Sequence, residues 1–389
     1  MIKTHIQNKS KEIHKEVIAI REHLHQYPEL SFKEYETSKY VQSILTKWGI
    51  EFEVMCDTGI VGTISPSFDT SKCIALRADL DALPIIEEND AAYCSKNKGV
   101  MHACGHDVHT AMLLGALKII NTHKEELKHS VKFIFQPGEE LLPGGASLLL
   151  KENVLENPKV DEIFALHVFP DLEAGKVGLR GGMYMASCDE IYITVTGKGG
   201  HGAMPHKVID PILTSAHILT SLQQIISRNC SPTIPSVLSF GKIEGLGATN
   251  VIPNEVKLEG TFRTMNEEWR AEAHHLIKKQ ATFIANGFGA TINVNISKGY
   301  PFLENDIDLT AKTKEKLELY FDKDHVIDLP IRMTGEDFSF YAQQVPATFI
   351  RVGVRNEEKN IIYPVHNSKF DIDNLALRVG IETFLSIVY

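Results

Sequence analysis

Residues 101–109 read Met-His-Ala-Cys-Gly-His-Asp-Val-His, three histidines, one cysteine and one aspartate in nine positions. An apolar run follows directly (Ala111, Met112, Leu113, Leu114, Ala116, Leu117), and its spacing predicts a helix. The Cys104 thiolate and the His106 imidazole are metal-ligand types, and Gly105 between them supplies a backbone that lets a turn aim both at one point. A helix N-terminus lowers a thiol pKa and favours negative charge, which suits a metal-bound thiolate. Two ligands this close cannot complete a site. The rest must come from distant segments, so the fold has to gather polar side chains at a common edge.

The surrounding segments are built for that. Cys73–Arg77 reads as a buried strand running into Arg77-Ala78-Asp79-Leu80-Asp81-Ala82-Leu83-Pro84, whose two aspartates are expensive to bury unless they hold something. Asp79 is placed to orient a ligating histidine through its second ring N–H. Val131–Phe135 is a short apolar strand that delivers Gln136-Pro137-Gly138-Glu139-Glu140. Neighbouring side chains at a strand end diverge, so one glutamate can bind metal while the other takes a proton from water. Ile163–Leu166 is a third such strand, ending in His167. Strands alternating with helices, each with polar groups at its carboxyl end, predict an α/β domain with an open, mainly parallel sheet.

A chain of 389 residues exceeds one ordinary core. From about Met183 the pattern changes: Glu190–Thr196 alternates like a half-exposed antiparallel strand, with further strands at Ser236–Ile243, Val256–Thr264 and Thr291–Ile296. Helices are predicted at Pro211–Ser227 and Glu267–Ala285. Residues 183–297 therefore read as an inserted α+β domain, and 1–182 with 298–389 as one discontinuous α/β domain. Helices are also predicted at Ile13–His25, Glu34–Trp48 and Leu375–Val388, and a late histidine appears in Val365-His366-Asn367.

Composition narrows the function. The net charge of -10 without a Lys/Arg block argues against nucleic acid or an anionic membrane as partner. No run approaches the roughly eighteen apolar residues of a membrane span. The polar start, Met1 to Glu16, is unlike a signal peptide, and the six scattered cysteines read as reduced thiols of a cytoplasmic protein.

Taken in order, the segments at 77–84, 102–107 and 136–140, the loop Gly200-His201-Gly202-Ala203-Met204-Pro205-His206, and Val365-His366-Asn367 resemble the signatures of the M20 metallopeptidases. They are most similar to its branch of N-acyl amino acid, hippurate and auxin-conjugate hydrolases. The resemblance implies two divalent ions (zinc or manganese, with cobalt or nickel as further options) held by Cys104, His106, Glu140, His167 and His366, with Cys104 bridging. It implies Glu139 as general base and Asp79 behind the metals. It also implies that the inserted domain is a lid and dimerisation domain making a homodimer, whose His201 reaches the neighbouring subunit's site, and that Asn250 and Arg263 hold a substrate carboxylate. Gly138 and Leu141-Leu142-Pro143 depart from the commoner pattern beside the glutamates.

The expected reaction is hydrolysis of the amide of a small N-acyl amino acid. Cleavage of di- or tripeptides by the same centre is the nearest alternative. A Cys104 nucleophile paired with His106 and a non-catalytic metal binder are the remaining ones.

Overall fold

The computed structural model describes residues 2–68, 70 and 72–389; Met1, the first residue of the polar start, lies outside them. The chain divides into two compact units, Met1–Gly182 with Glu304–Ile331 and Asp337–Tyr389, and Met183–Leu303 with Arg332–Glu336.

The first unit is built on an eight-stranded sheet in the order 53–55, 59–64, 130–136, 73–79, 162–173, 347–355, 177–179, 326–328. Its four central strands run parallel, with antiparallel pairings toward the edges. Cys73–Asp79 and Ser130–Gln136 are buried along their whole lengths, as strands covered on both faces are. The helix His106–Thr122 is apolar nearly all round and packs between the sheet and the helices Ile2–Gln26 and Leu375–Val388. Burying each of its large aliphatic side chains is worth roughly 1.5–3 kcal/mol.

Two differences from the sequence reading matter. The first helix spans Ile2–Gln26 rather than starting at Ile13. Ile6 and Val17 are buried on its inner face, but Ser10 stands between them and donates to Glu382 Oε1 at 2.6 Å, so a buried polar residue interrupts the apolar periodicity. The strand carrying His167 continues to Glu173, because its parallel partner Ala347–Arg355 extends the ladder. His167 still lies beyond the last pairing with the Cys73–Asp79 strand, Arg77 with Ala165.

The second unit holds a four-stranded antiparallel sheet in the order 236–244, 255–264, 189–196, 291–298. The helices Pro211–Gln224 and Glu267–Gly287 bury Ile218, Leu222, Ala273 and Ile277 with Ile191, Ile193 and Val195 of the sheet. Asp189 anchors this unit, accepting from Arg270 Nη2 at 2.5 Å and pairing with His274 Nε2 at 2.7 Å. Among the described residues no helix is long and apolar enough to cross a membrane.

Candidate metal centre

Gly105 sets the geometry of the first ligand pair. Its φ of +82° makes a left-handed N-cap, and a Cβ there would meet Val168 Cγ2 at 2.6 Å. Cys104 precedes this turn and His106 opens the helix behind it. The late loop is tied to the same place, since His366, itself left-handed with φ +64°, donates its N–H to Ala103 O at 2.8 Å.

Ligand atoms of Cys104, His106 and His167 lie within 4.8 Å of one another, and so do those of Cys104, Glu140 and His366. Cys104 belongs to both groups. A third group joins His106 to Glu139 and Glu140 within the same limit. The five side chains assigned as ligands by resemblance are thus brought together at the carboxyl edge of the parallel strands, with Glu139 among them.

The hydrogen bonds fix where the lone pairs point. His167 Nδ1 donates to Val168 O at 2.7 Å, leaving Nε2 bare 3.5 Å from Cys104 Sγ. Burial first, then the charge of Arg351, keeps the His167 pKa well below the usual histidine value. His106 Nδ1 lies 3.1 Å from Asp81 Oδ1, while its Nε2 is buried with no hydrogen-bond partner. Glu140 Oε1 is likewise buried without a hydrogen-bond partner, although His366 Nε2 is 3.1 Å away. Unmatched buried groups cost about 1–3 kcal/mol each. Two of them facing a shared centre fit a divalent cation.

The charges agree. Burial, followed by Glu140, Glu139 and Asp79, pushes the Cys104 thiol well above its ordinary pKa. His106 is opposed by burial but drawn up to about 10 by Asp79 and Asp81. The surroundings therefore call for positive charge here, and a metal ion supplies it in a form that also permits the thiolate. A free nucleophilic thiolate is disfavoured by the same carboxylates.

Asp79 does a different job from the one expected of it. It binds His109 Nδ1 at 2.6 Å and Arg77 Nη1 at 2.7 Å, and lies 3.7 Å from His106 Nε2. Asp81 orients His106 instead, and its Oδ2 accepts from Glu140 N at 2.9 Å and Ser31 Oγ at 2.6 Å. The reason is position: the helix start sets the His106 ring beside Asp81 and leaves His109, one turn on, above Asp79. His109 has both nitrogens engaged, since Nε2 accepts from Val168 N at 2.9 Å.

Other contributors were not legible in the motifs. Asp337 accepts from Arg77 Nη2 at 2.7 Å, from Gln136 Nε2 and from Ala146 N, while its own N–H reaches Glu139 Oε1 at 3.3 Å. Arg21, fully buried, donates to Asp107 at 2.8 Å and to Asp371 at 3.1 Å, clamping the segment after His106 to the segment after His366. His25, at the end of the first helix, is buried in that clamp, 2.8 Å from Asp107. The one signal in the sequence is an arginine with no acid three or four positions away along its helix. Gly138 is required as it stands, because its φ is +58° and the Phe32 ring fills the place of a Cβ.

His201, Asn250 and Arg263 belong to the second unit. Pairing of Gly200–His201 with Val251–Ile252 sets the first two side by side, and Gly202 N donates to Asn250 O at 2.8 Å. Ala203 N donates to His201 Nδ1 at 3.0 Å, so the neutral ring carries its proton on the exposed Nε2. Arg263 Nη1 contacts Cys188 Sγ at 2.9 Å.

Residues 75–389 match the model of peptidase family M20/M25/M40. The chain is 40% identical over 301 residues to the N-acyl-L-amino acid amidohydrolase of Geobacillus stearothermophilus, covering 77% of this chain and 80% of that one. It is 38% identical over 379 residues to thermostable carboxypeptidase 1 of Saccharolobus solfataricus, covering 96% and 95%. The crystal structure of a dinuclear metal-binding M20 peptidase of Bacillus subtilis superposes with a TM-score of 0.82 at 33% identity, covering 97% and 98%. With its parallel sheet, its cluster of ligand side chains and these relatives, the chain belongs to peptidase family M20/M25/M40 and is a metal-dependent hydrolase.

Proposed function

We propose that this hydrolase cleaves the amide bond of N-acyl amino acids at a centre of two divalent ions, releasing a carboxylic acid and a free amino acid. The observation that carries the reading is that Cys104 is shared by two ligand groups, one with His106 and His167 and the other with Glu140 and His366. His106 and His167 in one group and Glu140 and His366 in the other, with Cys104 common to both, would hold these ions. When bound, such ions polarise the amide carbonyl and lower the pKa of water. Imidazole and thiolate favour zinc, while the carboxylate tolerates manganese, cobalt or nickel.

The chain's own residues do the rest. Glu139 Oε1, positioned by the Asp337 N–H, takes the proton of the attacking water and returns it to the leaving nitrogen. Asp81 holds His106 and the Glu140 backbone in place. Arg263 and Asn250 hold the free carboxylate of the substrate, which a guanidinium fork fits. His201, whose exposed Nε2–H is a donor, polarises the scissile carbonyl in a neighbouring subunit's site, so the enzyme works as a homodimer through residues 183–297. Six free cysteines suit a reduced, cytoplasmic setting.

The amidohydrolase relative supports N-acyl amino acids, and the carboxypeptidase relative keeps peptides as the second reading. Metal-loaded enzyme is assayed on acetyl-, benzoyl- and dipeptidyl-amino acids. The proposal expects kcat/KM for the best acyl amino acid to exceed that for every dipeptide by at least tenfold. The reverse order establishes the peptidase reading, and activity that survives chelation and dialysis removes the metal from both.

A further inference from the structure

Glu34 is a buried carboxylate outside the ligand set. It immediately precedes the helix Tyr35–Lys47, yet its side chain makes no capping bond to that helix. Its Oε1 accepts from Phe32 N at 2.9 Å and from Gly138 N at 2.8 Å, while Thr58 Oγ1 donates to its Oε2 at 2.9 Å. Three segments distant in sequence thus meet on one side chain. Burial, then the charge of Asp81, raises its pKa to about 7, so this position opposes ionisation. A carboxyl group in such a place is kept for the donors it satisfies.

The donor that matters is Gly138, the residue before Glu139. Its N–H goes to Glu34 and its C=O accepts from Gly145 N at 3.0 Å, so both polar groups of the turn are held. Its φ is +58°, and the Phe32 ring stands where a Cβ would lie. Phe32 is itself left-handed, with φ +62°, and its N–H is tied to the same Glu34 oxygen. One acceptor therefore fixes both the turn and the ring packed against it. At the far end of the next side chain, Asp337 N donates to Glu139 Oε1 at 3.3 Å. A helix cap would direct the Glu34 carboxylate to the first turn of Tyr35–Lys47; here it is directed to the backbone that carries Glu139.

We propose that Glu34 is a positioning residue of the hydrolysis: by accepting from Gly138 N it fixes the left-handed turn that aims the Glu139 carboxylate at the attacking water. This rests on the reading of Glu139 as general base. What matters is the acceptor oxygen rather than the charge. In Glu34→Gln the amide oxygen faces the two N–H groups, and the NH2 faces Thr58, whose hydroxyl turns from donor to acceptor. Misplacing a catalytic group by about 1 Å costs on the order of 10²-fold in rate, and Gly138 is one residue away from that group.

The test is steady-state kinetics of the metal-loaded enzyme on its best acyl amino acid, with metal content read by elemental analysis. Glu34→Met keeps the volume and removes both acceptors; it is compared with Glu34→Gln, and each is also made in Glu139→Gln. Glu34→Met loses about 10- to 100-fold in kcat, with KM within about twofold of the wild type and metal content unchanged. Glu34→Gln recovers kcat to within about threefold of the wild type. In Glu139→Gln, Glu34→Met costs less than about twofold more, because both changes act through one group. If circular dichroism shows Glu34→Met unfolded, Glu34→Asp, whose carboxylate is withdrawn by one methylene, takes its place with the same expectation. A wild-type kcat in Glu34→Met overturns the proposal. So do losses that multiply in the double variant, a fall in Glu34→Gln as large as in Glu34→Met, or a loss of kcat that tracks loss of metal. Near-normal turnover of Glu139→Gln alone removes the general-base reading and this proposal together, whereas the other failures leave that reading standing.

Discussion

Asp81→Asn tests the support of the centre more sharply than removing a ligand. The carboxylate serves two sides at once, His106 Nδ1 through Oδ1 and Glu140 N with Ser31 Oγ through Oδ2. Burial opposes its ionisation, yet the bonds from His106 and Ser31 hold its pKa below the usual aspartate value. An asparagine keeps the shape but has one oxygen. If that oxygen faces Glu140 N, the amide NH2 meets the His106 Nδ1 proton, and relief requires the tautomer protonated on Nε2, the nitrogen a cation needs. If it faces His106, the NH2 meets the Glu140 N–H, which cannot turn away, and the Glu140 segment shifts. Either orientation weakens one ligand, and loss of such an orienting partner typically costs 10- to 100-fold in metal affinity, about 1.4–2.7 kcal/mol. Zinc affinity measured by chelator competition checks this, with circular dichroism of the metal-free variant confirming the fold. An affinity within twofold of the wild type in a folded variant refutes the assigned role of Asp81.

Further outcomes follow from the same contacts. Glu139→Gln retains metal and loses about 10²- to 10⁴-fold in turnover, measured under saturating substrate; near-normal turnover removes Glu139 from the reaction. Arg21→Met leaves buried Asp107 with His25 as its remaining hydrogen-bonded partner and lowers stability by about 3–5 kcal/mol in urea unfolding; a loss below about 1 kcal/mol contradicts the clamp. Glu34 is buried beside Asp81 and its pKa is raised to about 7, so it favours the folded state most below pH 4.5 and that contribution is lost as pH rises through 7. Glu34→Gln therefore flattens the decline in Tm between pH 4.5 and 7; an unchanged slope contradicts the assignment.

What the sequence reveals and hides here has a physical basis. The cysteine-histidine segment is conspicuous because it puts ligand-type side chains into nine positions, and Glu139-Glu140 because the pair follows a buried strand, whereas His366 stands alone in the sequence and is joined to them only by its resemblance to a family signature and by the fold. Asp81, Asp337 and Arg21 are silent, since their roles depend on which distant group lies within hydrogen-bond reach. Asp79 and Asp81 are two positions apart on one strand end, and only the placement of the His106–Thr122 helix decides which of them meets His106. Ser10 hides the first half of a helix for a related reason: its buried partner, Glu382, is 372 positions away. The domain pattern is readable from the change between continuous apolar strands and alternating ones, whereas the inclusion of Arg332–Glu336 in the second unit is not, because that segment is too short to carry a period.

The central claim is that Cys104, His106, His167, Glu140 and His366 converge on a pair of ions. Anomalous diffraction from crystals soaked in zinc tests it directly. The account predicts two peaks about 3.5–4 Å apart, both within bonding distance of Cys104 Sγ, with His106 and His167 divided from Glu140 and His366. A single peak with Cys104 outside its coordination sphere, or no peak near Cys104 in enzyme that is active, contradicts it.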